Sequence, residues 1–347
     1  MTAFINRIAT ALPAHDVHSA FVGFAGNLLP ERSHALFRRM AERSGIEHRW
    51  SAFQPNGEEG DSIDAEGFYR LGHFPGTAAR MRRYETDALD LAIRAADGLR
   101  DELSGVTHLV AVSCTGMVAP GIDLALIEHF GLDRGVERTC VGFMGCQAAI
   151  NGLKLADHIV RSDPGARVLL VCVELCSLHL QESADLEQVL CFLLFGDGCA
   201  AALISSEKRG VAIEGFRSTL VPDTGGHITW AIRDSGFDMH LSGQVPAVLG
   251  HALRTHRAAL LPNHPVALWA VHPGGRTVLD AVQDGLDLEP EALAASRAVL
   301  RDCGNMSSPT VLFVLERLTR DAPGGEAGCA MAFGPGLSAE TMRFRTL

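Results

Sequence analysis

No stretch of this chain reaches the roughly 18 uninterrupted apolar residues of a membrane span, so no membrane-spanning helix is expected. The opening residues Met1-Thr2-Ala3-Phe4-Ile5-Asn6-Arg7 lack the charged segment and apolar core of an export signal, and a cytoplasmic location is expected. No Lys/Arg-dense run offsets the formal net charge of −11, which argues against a nucleic-acid partner. The nine cysteines form no CxxC pair and no zinc-ligand spacing, so they read as reduced thiols and no metal is expected. There is also no GxSxG elbow, no Asp-Ser-His order and no GxxxxGK[ST] loop, which leaves serine hydrolysis and phosphoryl transfer without support.

What is present is a large apolar reserve. Apolar residues make up 47% of the 347 and charged residues 20%, the profile of one big α/β body or two fused halves. Helical stretches are expected at 33–44 and 86–103, with a polar, Gly-rich surface excursion between them at 55–72. Buried strands are expected at 107–113 and 167–173, with helices at 122–130 and 147–161. Fully apolar strands alternating with helices imply a sheet covered on both faces. A Gly turn at Phe195-Gly196-Asp197-Gly198 enters a further strand and closes a first half near Glu207. The grammar then repeats: a strand at 266–271, helices at 277–286 and 309–318, and strands at 328–333 and 340–344. Residues 1–207 and 208–347 are read as two similar α/β halves set back to back.

Cys146 stands out because Gly145 precedes it and helix-forming residues follow. Such a turn presents a nucleophile, and the positive end of a helix favours thiolate over thiol. A small buried hydrophobe is the commoner role for a cysteine, and only this setting singles out Cys146. His272 lies where a strand runs into Pro273-Gly274-Gly275, at a strand's carboxyl end, where open α/β sheets keep their sites. Asn305, in Gly304-Asn305-Met306-Ser307-Ser308, could cap a helix or donate to a developing oxyanion, and local sequence leaves both open. Together the three suit thiolate attack on a thioester, with imidazole and amide stabilising the oxyanion.

These residues, in this order, resemble the thiolase-fold condensing enzymes, and more closely the type III polyketide synthases, the chalcone-synthase-like family, in its bacterial branch. The resemblance rests on Gly145-Cys146, Leu194-Phe195-Gly196-Asp197-Gly198, His272-Pro273-Gly274-Gly275, Gly304-Asn305-Met306-Ser307-Ser308 and Phe333-Gly334-Pro335-Gly336-Leu337. It implies a five-layered αβαβα core, a homodimer, and Cys146 as the tether of the acyl chain. It further implies that His272 and Asn305 promote decarboxylation of malonyl-CoA and that Phe195 is a gatekeeping aromatic. Arg38, Arg39 and Arg43, with Ser307, fall in the family's coenzyme A-binding set, coenzyme A being part of the substrates and no separate cofactor being implied. Cys114, Cys176, His179, Cys191, Trp230 and Met239 fall on cavity-lining positions, with Trp230 narrowing one lobe and Met239 opening a path for an acyl tail. The Met117-Val118-Ala119-Pro120 loop is placed at the dimer interface.

The expected reaction is iterative extension of an acyl-CoA with malonyl-CoA, followed by cyclisation to an alkylpyrone or alkylresorcinol. Leu178, Leu180, Leu193 and Met239 suggest a fatty acyl starter. The alternatives are a malonyl-only enzyme resembling tetrahydroxynaphthalene synthase, a ketoacyl-ACP synthase III, and a degenerate thiolase-fold binding subunit.

Overall fold

The computed structural model describes residues 2–56, 60–255, 257–261 and 265–347. In chain order its main elements are β1 (Phe4–Ala11), α1 (His18–Leu28), α2 (Glu31–Glu42), α3 (Thr77–Asp97), β2 (His108–Ser113), α4 (Ile122–Phe130), β3 (Glu137–Gly142), α5 (Ala148–Ser162), β4 (Arg167–Leu175), α6 (Leu186–Leu194) and β5 (Asp197–Ser205). The second half contributes β6 (Val211–Leu220), β7 (Ile228–Arg233), β8 (Gly236–Leu241), α7 (Val245–Thr255), β9 (Leu268–Val271), α8 (Arg276–Leu286), α9 (Ala294–Cys303), α10 (Thr310–Thr319), β10 (Ala327–Gly334) and β11 (Ser338–Thr346).

Nine strands hydrogen-bond in the order β9-β10-β11-β6-β1-β5-β4-β2-β3. The order contains a repeat. From β1 outward the pairings run antiparallel to β5, antiparallel to β4, then parallel to β2. From β6 outward they run antiparallel to β11, antiparallel to β10, then parallel to β9. The halves join where Phe4 and Ile5 of β1 pair with Ala212 and Val211 of β6.

Side-chain alternation along these strands creates the layers. On β4, Val168, Leu170 and Cys172 enter a central core with α5 and α10, while Leu169, Val171 and Val173 face α3 and α4. On β10, Ala330 and Ala332 face the same central core, and Cys329, Met331 and Phe333 face α7 and α8. Helix, strand, helix, strand, helix is therefore the order through the molecule, the αβαβα arrangement of the thiolase fold. Small residues set the spacing: Ala88, Ala92, Ala95 and Ala96 of α3 are fully buried and let that helix lie close on the sheet. No helix among the described residues is long and apolar enough to cross a membrane.

The segment 55–72, of which 57–59 lie outside the described residues, runs largely over the surface as its polarity suggested, but it is anchored from within. Asp64 and Tyr69 are buried. The Asp64 carboxylate accepts from the backbone N–H groups of Glu66, Phe68 and Tyr69, which satisfies the turn internally and lets Tyr69 enter the core. Its hydroxyl donates to the Ser177 carbonyl at 2.8 Å. The first helices also differ in extent: α2 starts at Glu31, and α3 starts nine residues ahead of the expected 86.

Candidate active site

The parallel strands of both halves end at one cavity, as expected for sites at strand carboxyl ends. Cys114, Thr115, Cys146, Cys176, Phe195, Trp230, Met239, His272, Asn305 and Ser307 all line it, and its empty space is about 870 Å³, open mouth included. The rest of its wall is largely apolar, with Phe192, Ile228, Leu241, Val245, Leu249, Val278 and Phe333.

Cys146 sits in a single 3-10 turn, Gly145–Gln147, directly before α5. The turn needs glycine at 145. Its φ is +66°, and a Cβ there would stand 2.4 Å from Cδ of Pro335. Burial works against the thiolate preference expected of this turn and pushes the Cys146 thiol up to about 11; nearby Glu174 raises it too, and hydrogen bonds from Ser307 and Asn305 offset part of this. A helix end is a partial charge, and the loss of water outweighs it.

His272 follows β9 and is buried, and among the described residues neither ring nitrogen has a hydrogen-bond partner. Burial drives its pKa down to about 3. Cys146 and His272 are thus each held neutral, so a charge on either one alone is costly.

Asn305 sits in the turn after α9, stitched to the Phe195 segment by Asn305 N–H donating to the Leu194 carbonyl (2.8 Å) and Gly196 N–H donating to the Asn305 carbonyl (3.0 Å). Its Oδ1 accepts from Ser307 N–H at 2.8 Å and lies 3.9 Å from the Cys146 sulfur, while Nδ2 donates to the Gly274 carbonyl at 3.3 Å. Among the described residues the second N–H of that amide has no partner, which leaves it free to donate. Phe195 packs with Cys176 and Cys191, and Met239 lies against the group.

Several expected placements change. His179 and Cys191 do not line the cavity. His179 donates through Nε2 to the Thr115 carbonyl (2.7 Å), accepts at Nδ1 from Phe237 N–H (3.0 Å) and stacks on the Phe237 ring. It is a strut behind the wall, and the backbone groups of that loop explain why. Cys191 is buried behind Phe195. Leu178 and Leu193 belong to the outer core rather than the cavity. Ser307 lines the cavity beside Cys146, away from the arginine cluster. Arg38 and Arg39 are exposed on α2, and Arg43 ends it, its carbonyl accepting from Arg276 at the start of α8, four residues after His272. All nine cysteines are free.

Two residues at the site escaped the sequence reading. Glu174, near the end of β4, is fully buried with no ion pair among the described residues, and accepts from Cys114 N–H (2.9 Å), Thr115 Oγ1 (2.8 Å) and Ser308 Oγ (2.6 Å). It ties the loop after β2 to the Asn305 turn, and burial raises its pKa to about 7. Arg49 is likewise buried. Its guanidinium donates to the Phe192 carbonyl (2.9 Å), the Phe195 carbonyl (2.7 Å) and Nδ1 of His18 (3.1 Å). It holds the end of α6 from which Phe195 enters the cavity. An apolar strand hides the first and a polar loop the second, so neither has a local sequence signal.

A thiol, an unpartnered imidazole and an amide N–H in a largely apolar cavity of a thiolase fold form the site of a thioester-condensing enzyme. The chalcone and stilbene synthase N-terminal domain matches residues 76–208, and the corresponding C-terminal domain matches 213–347. The chain belongs to this family, the type III polyketide synthases, acyltransferases that form carbon–carbon bonds. Among its relatives, the alpha-pyrone synthesis polyketide synthase-like Pks18 of Mycobacterium tuberculosis is 34% identical over 99% of this chain and 91% of that protein. PKS-I from the brown alga Ectocarpus siliculosus superposes with a TM-score of 0.87 at 31% identity, covering 100% of this chain and 98% of that one. The C-terminal type III polyketide synthase domain of Steely1 from Dictyostelium shares the fold, with a TM-score of 0.89 at 23% identity over 100% and 99% of the two chains.

Proposed function

We propose that this polyketide synthase loads a fatty acyl group from acyl-CoA onto Cys146, extends it with malonyl-CoA and cyclises the product to an alkylpyrone or alkylresorcinol. Transfer of the Cys146 proton to His272 frees the sulfur to attack the starter thioester, and coenzyme A leaves as a thiol. When malonyl-CoA follows, loss of carbon dioxide leaves an enolate whose oxygen is stabilised by His272 and the free Asn305 N–H. Its carbon attacks the acyl-Cys146 thioester, extending the chain by two carbons and releasing the sulfur. Phe195 presents an aromatic wall to the malonyl carboxylate, which disfavours the charged group and assists its loss. The exposed Arg38, Arg39 and Arg43 are the groups for coenzyme A phosphates. The protein acts as a cytoplasmic homodimer.

The observation that carries the fatty acyl assignment is the cavity lining, where Phe192, Ile228, Met239, Leu241, Val245 and Leu249 surround the few polar groups of the reacting centre. The name of the Mycobacterium relative, which refers to alpha-pyrone synthesis, agrees with the product class. The test is incubation with malonyl-CoA and a series of acyl-CoAs, with product masses as readout. Masses of long-chain acyl groups plus two or three malonyl-derived units are expected. A protein that turns over malonyl-CoA alone, with long-chain acyl-CoAs neither consumed nor competitive, is instead the malonyl-only type, and strict dependence on malonyl-ACP assigns it to ketoacyl-ACP synthase chemistry.

A further inference from the structure

The outer face of α2 joins unpaired cations to exposed apolar side chains. Arg32, Leu36, Arg39, Met40 and Arg43 recur at helical spacing and form one stripe, opposite the buried Phe37 and Ala41. Leu36 and Met40 are 40% and 42% exposed. Arginines on other helices meet a carboxylate one turn away, as Arg83, Arg94 and Arg161 do. Among the described residues no carboxylate lies within ion-pair distance of Arg32, Arg38, Arg39 or Arg43. The acids of the helix are Glu31, in its first turn, and Glu42, which lines the groove toward α1 beside Arg38. Arg39 and Arg43 even stand at i, i+4, where like charges oppose helix formation. On a chain of net charge −11, this is a local cationic patch with an apolar pair at its middle.

The patch is tied to the reacting centre. Arg276, four residues after His272, donates to the Arg43 carbonyl at 3.2 Å. Coenzyme A phosphates account for cations at this end of the helix, but a phosphate gains nothing from Leu36 and Met40. A protein partner does, because the apolar pair supplies contact area and the flanking arginines meet its acids. An anionic bilayer fits less well. An extended surface meets the repulsion of the whole acidic chain, whereas a small partner meets only charges within a Debye length of about 8 Å.

We infer that α2 docks an acidic carrier protein that presents the starter acyl group as a thioester on a phosphopantetheine arm, so that Cys146 is acylated from protein-bound as well as coenzyme A-bound chains. One C–S bond replaces another as the acyl group moves from the phosphopantetheine sulfur to Cys146. The Cys146 proton ends on the released phosphopantetheine thiol, and no co-reactant is needed. This rests on the fatty acyl reading above and names a donor; the extender stays malonyl-CoA. The probes are palmitoyl-CoA and the palmitoyl form of the fatty-acid acyl carrier protein of the same organism, each with malonyl-CoA. For both, kcat/KM is measured in wild type, the double variant Leu36→Asp/Met40→Asp, and Arg32→Glu, none of these residues belonging to the reacting centre or to the coenzyme A arginines. Wild type is expected to use both donors and to give one product. The double variant is expected to lower kcat/KM for the palmitoyl carrier protein by about tenfold or more, the effect of losing two half-exposed apolar contacts. Its turnover of palmitoyl-CoA should stay within about threefold, which also reports that it is folded. Arg32→Glu should lower carrier-protein use about fivefold through slower encounter. Wild type that consumes palmitoyl-CoA and not the palmitoyl carrier protein overturns the docking surface, as does an equal loss with both donors. Carrier-protein use unmoved in the double variant, with loss of co-sedimentation on vesicles of equal parts phosphatidylglycerol and phosphatidylcholine, overturns it too and assigns the stripe to a membrane. Should the double variant not fold, an Arg32→Glu enzyme that uses both donors as wild type does overturns it equally. Turnover of neither palmitoyl donor by a wild type active on malonyl-CoA alone overturns the fatty acyl reading itself, a result separable from a refusal of the carrier protein.

Discussion

Replacing Glu174 with Gln changes one oxygen of a fully buried carboxylate and makes a pH-dependent prediction. In the folded protein burial raises this carboxyl from 4.5 to about 7, although Ser308, Cys114 N–H and Thr115 all donate to it and pull the other way. The folded state therefore binds the proton more tightly than the unfolded chain does. Below pH 4.5 both states are protonated and the group is neutral in its effect. As pH climbs from 4.5 to about 7 the unfolded chain ionises first and stability falls, and above 7 the full cost is present. A shift of that size corresponds to about 3 kcal/mol. The amide has no such titration, and its geometry is tolerable: its oxygen can keep Cys114 N–H and Thr115, while its NH2 donates to Ser308 Oγ, a hydroxyl that can turn and accept. The assay is thermal or urea unfolding of both proteins at pH 5 and pH 8. Because the unfolded carboxyl is already partly ionised at pH 5, the stability of Glu174→Gln relative to wild type should rise by about 2.5 kcal/mol between the two pH values. Asp197, also raised by burial, to about 6, is common to both proteins and cancels in the difference. A relative stability that is flat from pH 5 to pH 8, or that falls, refutes the reasoning.

His272→Gln removes the proton acceptor for Cys146, so alkylation of Cys146 by iodoacetamide at pH 7, followed by intact mass, should slow at least tenfold on the order of general-base effects; an unchanged rate means the thiol ionises without the imidazole. Arg49→Met leaves the Phe192 and Phe195 carbonyls without their donor. Hydrogen bonds to a charged group contribute about 1.5–3 kcal/mol each, so urea unfolding should show a loss of roughly 3 kcal/mol after the relief of burying the cation is counted. Gly304→Ala places a Cβ at φ +68°, 2.8 Å from Cγ of Arg49 and 3.0 Å from the Leu194 carbonyl oxygen. A stability loss of about 2 kcal/mol or more and reduced turnover are expected, measured by melting and product formation.

That Cys146, His272 and Asn305 share one cavity was legible because each sits in a turn that its neighbours must permit. Gly145 and Gly304 adopt positive φ beside Cys146 and Asn305, and such turns leave a local pattern in the sequence. The two halves were legible for a similar reason, since strands buried on both faces appear as apolar runs. β1 left no such run: Asn6, Arg7 and Thr10 interrupt it, yet it is the strand through which one half meets the other. Its polarity is consistent with its surroundings, Asn6 donating to the Glu207 carbonyl and Arg7 pairing with Asp101 at the surface.

Long-range causes are invisible even where their local effects are visible, and Arg49 shows how. A Cβ on Gly196 would lie 2.9 Å from the Cys303 carbonyl oxygen and 3.5 Å from Cβ of Arg49, and one on Gly304 would meet the Arg49 side chain directly. These two motif glycines, one after Phe195 and one before Asn305, thus leave room for the stem of a single arginine from a distant loop. The head of that arginine holds the Phe195 carbonyl, and the backbone around Phe195 is bonded in turn to Asn305. Phe195 and the Asn305 amide are consequently positioned as one unit, and enlarging either glycine should displace both.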